Sequence, residues 1–287
     1  MCSAAGMATR ILTGDVVCGV TSVDDKLFVL LKRDNNQVTV YSIDDYQLLQ
    51  NLDVPGYEPH DYSYMTSCVR HRCLYMSDPD NRCIHRYELA SSAATRWPPI
   101  SGKPLGLSVT PSCNLLVTCR DPDMLVESSA NNGQLVREIA LRPGIVNPWH
   151  SVQLTTGQRV VCYGENVLDL GVHAAQKFCF KTCVAIKFVD DDDDDDAAVA
   201  AAAADDDDVL LPWHLAVDND TQKIFVVDAF NGSVALYSSK LRFESYVFTE
   251  RCSNPRRLYL HEETRRLFVG QGKRNPEGCC GVTVIKV

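Results

Sequence analysis

The sequence predicts an all-β chain, and more narrowly a six-bladed β-propeller of four-stranded antiparallel blades. Three observations predict it. Short runs rich in Val, Ile, Leu, Phe and Tyr recur between Asp, Asn, Gly and Pro residues, the pattern of strands joined by tight turns. No long stretch repeats its apolar residues at helical spacing. The units recur every 43 or 44 residues, which is the period of propeller blades, each a twisted sheet that cannot bury both faces alone.

The clearest unit contains Pro212-Trp-His-Leu-Ala-Val-Asp, Lys223-Ile-Phe-Val-Val-Asp, Asn231-Gly-Ser-Val-Ala-Leu-Tyr and Ser245-Tyr-Val-Phe-Thr, four strands in about 40 residues. An acidic residue or glycine closes each second strand, where the turn to the third favours capping or left-handed backbone. These residues are Asp34, Asp78, Asp121, Glu165, Asp228 and Gly272, at intervals of 44, 43, 44, 63 and 44. The exception exceeds the period by 19, the length of segment 190–208. Without that segment 268 residues remain, close to 45 for each of six units. The prolines before first strands, Pro104, Pro148, Pro212 and Pro255, repeat at 44, 64 and 43 and show the same outlier.

Ring closure needs a fourth strand in the last blade, because the C-terminus supplies three: Arg257 to His261, Arg266 to Gly270 and Val282 to Val287. The segment Thr9-Arg-Ile-Leu-Thr, which precedes the first inner strand near Val16 to Val23, can add the missing outer strand and remove an exposed edge. One propeller domain over residues 1–287 is therefore expected.

Segment 190–208 interrupts it between blades four and five. Seven aspartates, Asp190 to Asp196, precede eight Ala-rich residues and four more aspartates, Asp205 to Asp208. Eight residues are too few for a stable isolated helix, and the carboxylates repel one another. A disordered insertion is expected, read as a neutral expansion rather than a cation site. It also dominates the charge: the chain carries -9, and without these eleven aspartates it carries +2.

No stretch of about 18 apolar residues is present, and Met1 to Gly14 shows no charged stretch leading into an apolar run. A soluble, monomeric, cytoplasmic protein without membrane contact is expected. The 13 cysteines read mostly as buried thiols, since their number is odd and the chain is long. The pairs Cys68/Cys73, Cys113/Cys119 and Cys179/Cys183 lack the paired spacing of a structural zinc site, so neither metal nor cofactor is expected.

In residues 212–240, and in outline at 254–287, the order Pro, two variable residues, apolar-Ala-Val-Asp, then apolar-Val-Val-Asp-x-x-Asn-Gly, then Val-x-Leu-Tyr resembles NHL repeats. Weaker copies lie at Pro104-Leu-Gly-Leu-Ser-Val and Asn147-Pro-Trp-His-Ser-Val-Gln-Leu. The resemblance is to the propeller found at the C-terminus of tripartite-motif ubiquitin ligases. It implies recognition of a protein partner, possible RNA binding, and a role in ligase substrate recognition. The RING and B-box modules of those ligases have no counterpart among the Cys and His spacings here.

In a propeller, the loop before the first strand and the loop between the second and third strands open on one face. That face is expected to gather Arg256, Arg257, Lys273 and Arg274, with Lys32, Arg33, Arg82 and Arg120 in equivalent loops. Asp34, Asp78, Asp80, Asp121 and Asp123 share those loops, so the plainer reading is solvated charges with local partners. Trp149, Trp213 and Phe230 are the aromatics available for stacking on RNA bases. Pro-Trp-His at 148–150 and at 212–214 starts two first strands, and His150, His214 and His60 could in principle meet around a metal, as in a propeller lyase or hydrolase. Structural roles for these residues are preferred, and no catalytic constellation is found. The expected function is a non-catalytic scaffold that binds a protein, with RNA binding and metal-dependent chemistry as alternatives.

Overall fold

The computed structural model describes residues 8–35, 37–164, 185–188, 212–229, 231–248, 254–272 and 280–287. The chain opens with β1 (Thr9–Leu12) and then forms a first blade from β2 (Val17–Val23), β3 (Lys26–Leu31), β4 (Val38–Ser42) and β5 (Leu48–Leu52). The second blade is β6 (Met65–Cys68), β7 (Cys73–Asp78), β8 (Cys83–Glu88) and β9 (Ala93–Arg96). The third is β10 (Lys103–Val109), β11 (Asn114–Arg120), β12 (Met124–Ser129) and β13 (Leu135–Ala140). The fourth position holds β14 (Pro148–Gln153), β15 (Arg159–Tyr163) and β16 (Ala185–Phe188). The fifth blade is β17 (Pro212–Val217), β18 (Ile224–Asp228), β19 (Ser233–Tyr237) and β20 (Phe243–Phe248), and the chain ends with β21 (Pro255–His261), β22 (Arg266–Gln271) and β23 (Gly281–Lys286).

Among the described residues these strands make five antiparallel sheets of four strands and, in the fourth position, one of three. The first strands touch in sequence, β2 to β6, β10, β14, β17 and β21, and β21 returns to β2, so the sheets form a closed propeller ring. The last sheet is ordered β1-β23-β22-β21. Its outer strand is thus the N-terminal one, with Thr9 opposite Val284 and Leu12 opposite Gly281, and the ring is sealed by strand pairing as the sequence predicts.

The second strands read as continuous apolar runs, Leu27-Phe-Val-Leu-Leu in β3 and Ile224-Phe-Val-Val in β18, because both of their faces are covered by neighbouring sheets. Between the first and last sheets, Val17, Val20, Leu27 and Val29 pack with Phe268, Val282 and Val284, all buried. Each such side chain stabilises the fold by roughly 1.5–3 kcal/mol. The Asp-x-x-Asn turns behave as the sequence suggests. Asn81 donates from its backbone N–H to Asp78 (3.0 Å) and from its side chain to the other carboxylate oxygen (2.9 Å). Asn231 does the same with Asp228 at 3.1 and 2.7 Å.

Segment 190–208 lies outside the described residues, as do Lys273, Arg274 and Phe230. Cys18, Cys68, Cys73, Cys83, Cys119, Cys162 and Cys280 are buried free thiols.

Candidate functional site

The site is set by one backbone feature repeated round the ring. Five first strands pair with their second strands through a register slip at the N-terminal end: between Val17 and Gly19, Pro104 and Leu107, Pro148 and His150, Pro212 and Leu215, and Pro255 and Arg257. Such a bulge re-aims the side chains beside it. Asn147 and Asn254, just before Pro148 and Pro255, accept the left-handed backbone this entry needs (φ 51 and 56). Counted back from the pairing with the second strands, the residues at one level are Gly19, His150 and Arg257, directly after their slips, Gly106 and His214, one residue before the paired Leu107 and Leu215, and Tyr64, just before β6, whose pairing shows no slip.

Four of these side chains meet and close the axis. The His150 and His214 rings stack at 3.9 Å, and Tyr64 stacks on them at 5.8 and 5.6 Å. The Arg257 guanidinium lies 3.7 Å above the Tyr64 ring. The two glycines make this layer possible. A Cβ on Gly106 would stand 2.6 Å from the His150 Cα, and one on Gly19 would stand 2.5 Å from the Met65 Cβ.

The layer also laces the sheets together. Arg257 is 3% exposed and donates to the carbonyls of Cys18 (2.6 Å), Arg256 (2.9 Å) and Ser63 (2.9 Å), joining the sixth sheet to the first and second. His150 accepts from the Leu215 N–H at Nδ1 (3.4 Å), and its Nε2 donates to the Leu107 carbonyl (3.1 Å). One nitrogen accepts while the other donates, so this histidine is neutral. Burial pulls its pKa down to about 3. His214 accepts from Leu258 N–H (3.4 Å), and burial, with His150 and Arg257 beside it, holds it well below the ordinary histidine value. The Tyr64 hydroxyl reaches the Trp213 carbonyl at 3.3 Å.

These placements correct the expectation that Arg257 stands in a solvent-facing basic loop. The bulge turns it onto the axis, where three carbonyls satisfy it. His150 and His214 are brought together, but His60 is not part of their group: its ring packs on Tyr62 at 5.3 Å, and its Nδ1 accepts from the Tyr62 N–H. Among the described residues these three imidazoles form no ligand cluster.

One residue earlier in each first strand, nearer the loop face, Trp149, Trp213 and Arg256 form a second layer. The indoles are 5.6 Å apart. Arg120 lies 3.7 Å over Trp149 while donating to the carbonyls of Asn147 and Pro148, and Arg256 lies 4.7 Å over Trp213. Arg256 approaches Asp61 at 4.0 Å, and Asp61 accepts from Lys32 at 2.8 Å. Burial would raise the Asp61 carboxyl, but the Lys32 hydrogen bond and the charges of Lys32 and Arg256 hold it below the usual carboxylate value. Among the described residues, further loop cations have local partners: Arg33 with Asp15, Arg82 with the Asp121 carbonyl, and Lys103 with the Asp121 carboxylate.

On the opposite face the axis is open. A funnel of about 710 Å³ narrows to His150 and His214, with Thr21, Ser108, Val152, Ala216 and Tyr259 among its walls. These wall residues lie two positions past the axial layer, so they face the axis by strand alternation. Ser22 and Tyr259 share a hydroxyl hydrogen bond of 2.7 Å across the seam of the ring, and Thr21 and Ser67 share one of 2.6 Å. The sequence pointed to the loop face and missed this cavity, as well as Tyr62, Tyr64 and Asp61. The one available signal was the alternation in Tyr62-Ser-Tyr64, which carries no proline to mark the start of a first strand.

No family model matches the chain, and no curated protein matches it by sequence. Solved structures match its fold along nearly its whole length. The WD40 repeats of RRP9 give a TM-score of 0.66 at 11% identity, covering 97% of this chain and 97% of that one. Hydrazine synthase of Kuenenia stuttgartiensis gives 0.63 at 12% identity, with 97% and 98% covered. Virginiamycin B lyase of Staphylococcus aureus gives 0.61 at 10% identity, with 98% and 99% covered. At these identities the likeness is one of fold: the chain is a β-propeller, an architecture that serves binding scaffolds and enzymes alike.

Proposed function

We propose that the protein is a non-catalytic scaffold whose loop face binds a protein partner. The observation that carries this reading is the arginine–tryptophan layer at the loop face. Arg and Trp are the residues that most often concentrate binding energy at protein interfaces, and here the half-buried Arg256–Trp213 stack, over a buried Trp149, adjoins Asp61 and the exposed Lys32. The axial layer beneath supports binding over chemistry, because its histidines are neutral and stacked and its arginine is consumed by carbonyls. The NHL-like motifs extend the reading to recognition of a ligase substrate or of RNA. The WD40 neighbour is a propeller of repeats, in keeping with a scaffold.

A pull-down with the full chain, with and without nuclease, separates the partner classes. The expected result is a bound protein that survives nuclease and is lost with Arg256→Gln plus Lys32→Gln in a chain that melts normally. Loss of all bound material on nuclease treatment points to RNA instead.

One observation favours a catalytic second reading: His214 lines the floor of the funnel, and a lyase shares the fold. That reading requires a small substrate whose turnover disappears in His214→Gln.

A further inference from the structure

Away from the axis, the turn between β7 and β8 gathers three chemically different donor atoms. Asp78 Oδ2 lies 3.1 Å from His85 Nε2 and 3.9 Å from Cys83 Sγ, and Sγ lies 3.8 Å from Nε2. A triangle of this size suits ligand atoms that each sit about 2.0–2.3 Å from one ion, the distances zinc takes to carboxylate oxygen, imidazole nitrogen and thiolate sulfur. All three residues are buried: Asp78 at 5%, Cys83 at 0% and His85 at 1% exposure.

The fifth blade shows that the turn itself does not need this set. Asp228 and Asn231 lock the equivalent turn with the same two hydrogen bonds. There the residues at the registers of Cys83 and His85 are Ser233 and Ala235. Cys83 and His85 are therefore additions to the lock, not parts of it. The His85 ring is also poorly served by its surroundings, since Nδ1 is buried without a hydrogen-bond partner. Coordination through Nε2 would place the ring proton on Nδ1 and replace the hydrogen bond to Asp78 with a bond to the metal.

Outer contacts suited to a metal site are present. Asn81 donates to Asp78 Oδ2 at 2.9 Å, and Arg96 donates from Nε to Cys83 Sγ at 3.2 Å. Arg96 is exposed, so the sulfur lies directly beneath a surface side chain.

We propose that Asp78, Cys83 and His85 bind one zinc ion, or a similar borderline divalent transition metal, in the second blade. Binding releases the thiol proton of Cys83 to solvent, and the thiolate and carboxylate then balance the two positive charges while His85 binds as neutral imidazole. A fourth position is left for water. The Arg96 hydrogen bond stabilises the thiolate from outside, as second-shell donors do.

The test uses the full chain, reduced and loaded with zinc, then dialysed and assayed by elemental analysis, and in parallel loaded with cobalt(II) for absorption spectroscopy. One zinc per chain is expected, with a thiolate-to-cobalt charge-transfer band in the near ultraviolet. Cys83→Ser, which installs the residue the fifth blade carries at this register, is expected to abolish the band. Arg96→Met is expected to weaken zinc by about tenfold with the band intact. Cys113→Ser controls for the other thiols and is expected to change neither readout. Melting curves of each variant establish that it is folded. Absence of retained metal, or retention that is unchanged in folded Cys83→Ser and His85→Gln chains, overturns the proposal.

Discussion

The axial layer shows how strongly a single register decides what a residue can do. Tyr64, His150, His214 and Arg257 differ in chemistry, yet equivalent positions along the first strands bring them to one level, where each is satisfied by another sheet. Keeping two histidines neutral there links stability to pH. The folded pKa of His150 is about 3 against an ordinary 6.5, and that of His214 lies in the same direction, so between these values the unfolded chain binds protons that the folded chain does not. Their contribution is intact above about pH 6.5 and is lost as pH falls toward 3, at roughly 1.4 kcal/mol per pH unit for each histidine. Urea midpoints measured between about pH 4.5 and 6.5, above most carboxylate titration, are expected to fall with pH. His150→Phe, which keeps a stacked ring, is expected to remove about one proton from that slope. An unchanged slope in the variant would mean that His150 is protonated in the folded ring. This layer was only partly legible in the sequence. The two Pro-Trp-His copies announced two of its members, and the prolines at 104 and 255 mark the same place for Gly106 and Arg257, but Gly19 and Tyr64 share only register with them, and register is fixed by pairing between strands that a single chain does not display.

At the scale of elements, the strands were legible because each blade repeats short apolar runs at one period and closes its second strand with a turn residue. Asp78 and Asp228 close β7 and β18 with Asx-type hydrogen bonds, the role their spacing implied. The closing strand was legible for a different reason: the last blade was one strand short. β1 fills that place with Ile11 buried against the seam and Arg10 donating to Gln271 at 2.8 Å. Removing residues 1–13 exposes the edge of β23, uncovers Val282 and Val284 beneath Ile11, and opens the blade that joins the two ends of the chain. The expected result is a fall in melting midpoint of several degrees, from a loss of at least about 3 kcal/mol, together with self-association through the bared strand. A truncated chain that melts with the full-length protein would show that three strands suffice to close the ring.

For the whole molecule, a propeller divides its two ends between different jobs, and the sequence spoke for one of them. The loop face could be read from prolines, arginines and tryptophans, while the funnel on the other face is walled by Thr21, Ser108, Val152, Ala216 and Tyr259, side chains too ordinary to stand out until the ring places them round one axis. The same ring logic governs segment 190–208. The neighbouring period is restored when those 19 residues are subtracted, and the remaining charge changes from -9 to +2. If the segment only lengthens a connection between the fourth and fifth sheets, its removal alters a loop-closure term of well under about 1 kcal/mol, because that cost grows with the logarithm of length. A chain lacking 190–208 is expected to keep its melting midpoint within about 2 °C and to retain its partner in the pull-down. A drop of many degrees would mean that the tract is part of the folded ring.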